Sequence, residues 1–171
     1  MIVLETIEFV NYFLFIFCNN LRRTAHTGNG VISMKLWRSL ILFYIGGMVY
    51  ILVELLWRGW SHPSMFVVGG FCFVMIGELN GHLLRWNTPL VAQSILCACA
   101  VTLVELVSGL ILNVWGGLNI WDYGSLPFNF MGQICLYYFL LWIPLSTAAI
   151  WADDWLRYLL FGEERPTYRL I

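Results

Sequence analysis

N-I-W-D-Y-G-S-L-P-F-N-F-M-G-Q-I-C-L-Y-Y-F-L-L-W, residues 119–142, is the stretch that decides how the rest of the chain is read. It opens as an aromatic and acidic loop, turns at Pro127, and runs on into apolar residues that carry Asn129 and Gln133. The pattern predicts a polar mouth leading into a membrane helix that starts at Pro127. On such a helix Asn129 and Gln133 lie one turn apart and face the same interior as Glu105.

The whole chain shares this character. Its 171 residues are 60% hydrophobic and 11% charged, with a mean hydropathy of +0.77, whereas soluble domains run at about 45–50% apolar and about 25% charged. This is the composition of an integral membrane protein, with the lipid bilayer as its first partner. A net charge of -1 gives no basic surface for nucleic acid. Cys18, Cys72, Cys97, Cys99 and Cys135 all lie in apolar runs with no C-x-x-C pair, and read as small buried hydrophobes. His26, His62 and His82 have no second His or Cys at ligand spacing, so neither a metal site nor a cofactor is expected. The chain carries no Walker A lysine motif, nucleophile elbow or zinc-binding helix, and it is read as a non-enzyme with no catalytic residue. Any ATP-driven step then requires a separate ATPase subunit.

Four apolar runs near the length of about 20 residues that a spanning helix needs are expected at residues 36–57, 65–84, 89–112 and 127–151. Short connections predict two antiparallel hairpins, so the fold class is an all-α membrane protein with a four-transmembrane-helix bundle over residues 36–151. Residues 1–18 add an apolar helix interrupted by Glu5, Glu8 and Asn11; it is read as interfacial, with a fifth span as the alternative. Residues 19–35 form a polar cytoplasmic loop and 152–171 a cytoplasmic tail. Arg22, Arg23, Lys35, Arg38, Arg85, Arg157, Arg165 and Arg169 fall on one side of this layout and Arg58 on the other. That bias places both ends of the four-span unit in the cytoplasm.

Two glutamates interrupt the spans, in the matching contexts Leu52-Val53-Glu54-Leu55 and Leu103-Val104-Glu105-Leu106, an echo that suggests an internal duplication. A charged side chain at the centre of a span costs about 2.5 to 3.5 kcal/mol on insertion scales, so each needs a partner. Arg58 stands four residues after Glu54, on the same helical face. Glu105 has no basic residue within a turn; it must be neutral, face water, or pair across helices. With Arg58, His62, Asn113, Asp122, Tyr123, Asn129 and Gln133 on the same side, the two glutamates define an expected outward-opening polar cluster that reads as a ligand or coupling site. His62, before Pro63, reads first as a loop or cap residue. Glu78 and Asn80 are expected as solvated interface groups, and Asp153 and Asp154 as the start of the tail helix. Gly46-Gly47, Gly69-Gly70 and Gly77 are expected to let helix backbones approach.

Glu54 followed by Arg58-Gly59, the span-three Glu105, and the series Trp121, Asp122, Tyr123, Pro127, Asn129, Gly132, Ile134 and Cys135, closed by Trp142, resemble a known pattern. It is that of the bacterial family of small polytopic proteins described as putative type IV ABC-transporter membrane proteins. The resemblance covers about residues 43–142; Gly124 stands where the family has serine, and Ser61-His62-Pro63 where it has a glycine-proline loop. It implies an ABC-transporter-permease-like transport component in a bacterial inner membrane, without fixing a substrate; the small size of the chain adds the expectation of a homo-oligomer or a partner subunit. The alternative is a non-transporting scaffold or assembly protein whose glutamates and aromatic loops are structural.

Overall fold

The computed structural model describes residues 30–84 and 88–169. The expected N-terminal apolar helix at residues 1–18 lies outside the described residues, with most of the loop after it. The chain divides into two compact units, Met1–Val74 and Met75–Ile171.

The first unit holds α1, Gly30–Arg58, and the larger part of α2, Pro63–Glu78. α1 stops because Gly59 takes a left-handed φ of +77° and donates its N–H to the Leu55 carbonyl, closing the last turn. α2 starts on a proline, whose missing N–H costs nothing in a first turn. The two helices meet through the expected glycine pairs. A Cβ on Gly46 would collide with Phe73, one on Gly69 with Tyr50, one on Gly47 with the Phe66 carbonyl oxygen at 2.6 Å, and one on Gly70 with the Phe43 carbonyl oxygen at 2.5 Å. Each helix thus offers a flat pair of glycines that receives aromatic residues of the other. Phe66 is fully buried there, with the rings of Phe43 and Tyr44 edge-on to it at 5.8 Å.

In the second unit α2 continues as a π-helical stretch, Leu79–Leu84; α3 spans Leu90–Gly109 and passes into a second π-helical stretch, Leu110–Trp115. A two-stranded antiparallel hairpin follows, β1 Asn129–Phe130 against β2 Ile134–Cys135, and then α4, Leu136–Phe161. α3 packs on α4 through a stripe at helical spacing that includes Ser94, Cys97, Ala98, Val101, Glu105 and Ser108. Ser94 accepts a bond of 2.7 Å from Thr147 across this seam.

Among the described residues, three helices are long and apolar enough to cross a membrane: Met34–Arg58, Pro63–Gly81 and Leu90–Trp115. Their outward faces carry exposed Leu52, Leu56, Phe71, Leu103 and Val107, as a lipid-facing surface does. The fourth expected span needs correction. Residues 127–135 are a hairpin and not helix, and α4 starts nine residues later than expected and extends to Phe161, through the region expected as a tail. The cause is local: Phe128 and Met131 both have φ +54° and Gly132 has φ +68°, values no α-helix tolerates. Among the described cysteines Cys72, Cys97 and Cys135 are buried as expected, whereas Cys99 is exposed.

Candidate functional site

The expected site residues fall in both units. Glu54, Arg58 and His62 belong to the first. Glu54 accepts hydrogen bonds from the Arg58 guanidinium and from the hydroxyl of buried Ser61. Arg58 also lies over the Trp60 ring, 4.3 Å from its centroid. The glutamate is therefore neutralised locally, as its i,i+4 spacing predicts. His62 caps α2: its Nδ1 accepts from the Ser64 N–H at 3.3 Å and lies 2.8 Å from the Ser64 hydroxyl.

Glu105, Asp122, Tyr123, Asn129 and Gln133 belong to the second unit. The hairpin is assembled by its own polar side chains. Asp122 is exposed and accepts from the Gly124 N–H at 2.7 Å, an Asx turn. Asn129 donates to the Leu126 carbonyl at 2.7 Å and accepts from Gly132 N–H at 3.2 Å. The Tyr123 N–H donates to the Gly132 carbonyl at 2.8 Å. A Cβ on Gly132 would reach the Asp122 carboxylate at 2.7 Å, so the turn has room for glycine only.

Asn113, in the π-helical end of α3, pins this hairpin to the helix. Its amide donates to the Gln133 side chain at 2.9 Å and to the Trp121 carbonyl at 3.0 Å, and its oxygen accepts from Ile120 N–H at 2.7 Å. The Trp121 indole donates to the Gln133 carbonyl at 3.0 Å. Gln133 rests on Gly109, where a Cβ would meet its Oε1 at 2.5 Å. Asn113 and Gln133 are both buried and bonded, as buried amides must be.

Under this cap lies Glu105, only 8% exposed. The Tyr123 hydroxyl donates to its Oε1 at 2.8 Å, and the Trp142 indole of α4 donates to its Oε2 at 3.0 Å. Tyr123 is held in place by stacking on Tyr138, ring centroids 4.4 Å apart. Of the three options open to Glu105 in the sequence, the structure takes pairing across elements, and the donors are neutral. The structure thus brings together Glu105 and Tyr123, with Gln133 and Asn129 in the cap above them; Asp122 is spent on the turn.

Sequence reasoning missed Trp142 as a Glu105 donor; it placed Asn113 in the polar cluster, but without its role as hairpin anchor. It also expected Asn80 as a solvated interface group and Asp153 and Asp154 at the start of a separate tail helix, which the structure corrects. Asn80 is buried and donates to Asp154 at 2.9 Å, and Asp153 is fully buried within the continuous helix α4. The available signal was the i,i+4 order of Asp153 and Arg157, the same one that identified Glu54 and Arg58. No curated protein and no solved structure matches the chain. A family model described as "Putative ABC-transporter type IV" matches residues 36–157, a range that contains both glutamates, the hairpin and most of α4, and the chain belongs to that family.

Proposed function

We propose that this chain is a membrane-embedded transport component in which Glu105 is the coupling group and the hairpin from Trp121 to Cys135 is its cap. One observation carries the reading: a carboxylate within an apolar helix is held by two neutral donors, Tyr123 and Trp142, that come from two different elements. A structural glutamate is satisfied most simply by a local basic residue, as Glu54 is by Arg58. A carboxylate on neutral donors can instead accept and release a proton or meet a ligand cation when the cap moves, because no fixed positive charge competes for it. Tyr123 links that event to the cap directly.

In this reading α4 is the fourth span, the helices form two antiparallel hairpins, and both ends of the four-span unit face the cytoplasm of a bacterial inner membrane. The sequence carries no Walker A motif, and in this reading energy enters through a separate ATPase subunit, and a unit of this size works as a homo-oligomer or with such a partner. Glu54, Arg58 and His62 brace the α1–α2 turn.

A second reading, a non-transporting scaffold, is favoured by a different observation: Asp122, Asn129 and Asn113 spend their side chains on the hairpin's own backbone. Purification of the full chain from its native membrane in mild detergent separates the two. The transport reading expects an ATP-hydrolysing subunit to co-elute in fixed ratio, from wild type and Glu105→Gln alike. Co-elution of membrane proteins without any ATPase activity would favour the scaffold.

A further inference from the structure

Beyond Trp151, α4 reaches a second polar cluster, which the Glu105 site does not use. Asp153 is fully buried. Its Oδ2 accepts from Arg157 Nε at 2.7 Å, while its Oδ1 has no hydrogen-bond partner. The carboxylate lies flat on Gly77 of α2, where a Cβ would collide with it. Arg157 also reaches Glu78 at 3.4 Å, so one guanidinium serves two acids from two elements. Next to them Asp154 is satisfied by Asn80 at 2.9 Å and by the Tyr168 hydroxyl at 3.0 Å, and Glu163 of the C-terminal segment adds a further negative field. Four carboxylates thus surround one arginine, and the buried one has an empty oxygen.

We propose that this cluster is a proton-binding site, in which Asp153 Oδ1 takes up the proton and Arg157 shifts its weight from Asp153 to Glu78 as it does so. An orphaned buried carboxylate oxygen is costly when ionised and becomes a donor when protonated. The excess negative charge favours uptake of a cation, and Oδ1, closed in by Gly77, leaves room for the smallest one. Among the described residues no three His, Cys, Asp or Glu side chains converge as they would around a metal ion.

The test uses the full-length chain in detergent, followed by the infrared carbonyl band of neutral carboxylic acid as pH is varied. Wild type should show a band that disappears as the pH is raised; Asp153→Asn should lack it, and Asp154→Asn should keep it. Glu78→Gln, at a half-exposed position, should leave the fold intact and lower the midpoint, because one acid competing with Asp153 for Arg157 is removed. The proposal is overturned if the band survives in Asp153→Asn. It is equally overturned if the midpoint is unmoved in Glu78→Gln, a readout that stands even where Asp153→Asn does not fold. A midpoint that shifts when sodium replaces potassium at constant ionic strength would also overturn it, as the mark of a metal-cation site.

Discussion

Glu54 and Glu105 stand in nearly the same four-letter context and are stabilised in different ways. Glu54 was legible because its partner Arg58 is one turn away, and a helix brings i and i+4 together whatever the rest of the fold does. Ser61, its other donor, carried no such signal. The partners of Glu105 are 18 and 37 residues downstream. Tyr123 and Trp142 are visible as motif letters, but only tertiary structure can turn them into donors to one carboxylate. Tyr123→Phe removes one of those donors and leaves a buried acceptor atom unsatisfied, which should lower stability by about 1–3 kcal/mol. Equilibrium unfolding in mixed detergent checks it, with Tyr137→Phe, at an exposed position, as the control expected to cost less.

At the scale of elements, the glycine pairs and the hairpin show what periodicity can and cannot reach. Paired small residues in two apolar runs announce close helix contact, and α1 and α2 make it. Gly47→Ala and Gly70→Ala each press a methyl group onto a backbone oxygen that cannot rotate away, so each should destabilise the chain by about 1–3 kcal/mol. Gly81→Ala, where nothing lies within 4 Å, should not; thermal unfolding of the three variants side by side reads the difference. The hairpin was misread as helix because positive φ is normally signalled by glycine or asparagine, and here it also falls on Phe128 and Met131. Gly132 was the one visible cue. Asn113 ties the end of α3 to Ile120, Trp121 and Gln133, so Asn113→Ala should loosen the cap at a cost of about 1–3 kcal/mol and speed amide exchange from Trp121 to Cys135, measured by hydrogen-exchange mass spectrometry.

For the whole molecule, composition alone identified a membrane protein, and three apolar helices with lipid-type outward faces agree with it. The fourth helix was harder to bound, because its C-terminal half carries Asp153, Asp154 and Arg157, groups that read as a tail until burial and pairing place them in the packed helix. The same limit hid the second cluster, whose members Asn80, Asp154 and Tyr168 are joined over long sequence distances. Two polar centres result in one compact unit, Glu105 beneath its cap and Asp153 near the other end of α4, and the transport reading assigns the coupling role to the first. The direct test is proton movement in lipid vesicles loaded with a pH-sensitive dye and carrying the purified protein with its co-eluting subunits, supplied with ATP. Wild type should move protons across the vesicle membrane, and Glu105→Gln, confirmed as folded by its unfolding curve, should lose that flux while keeping its subunits. Equal flux from wild type and folded Glu105→Gln would contradict the account.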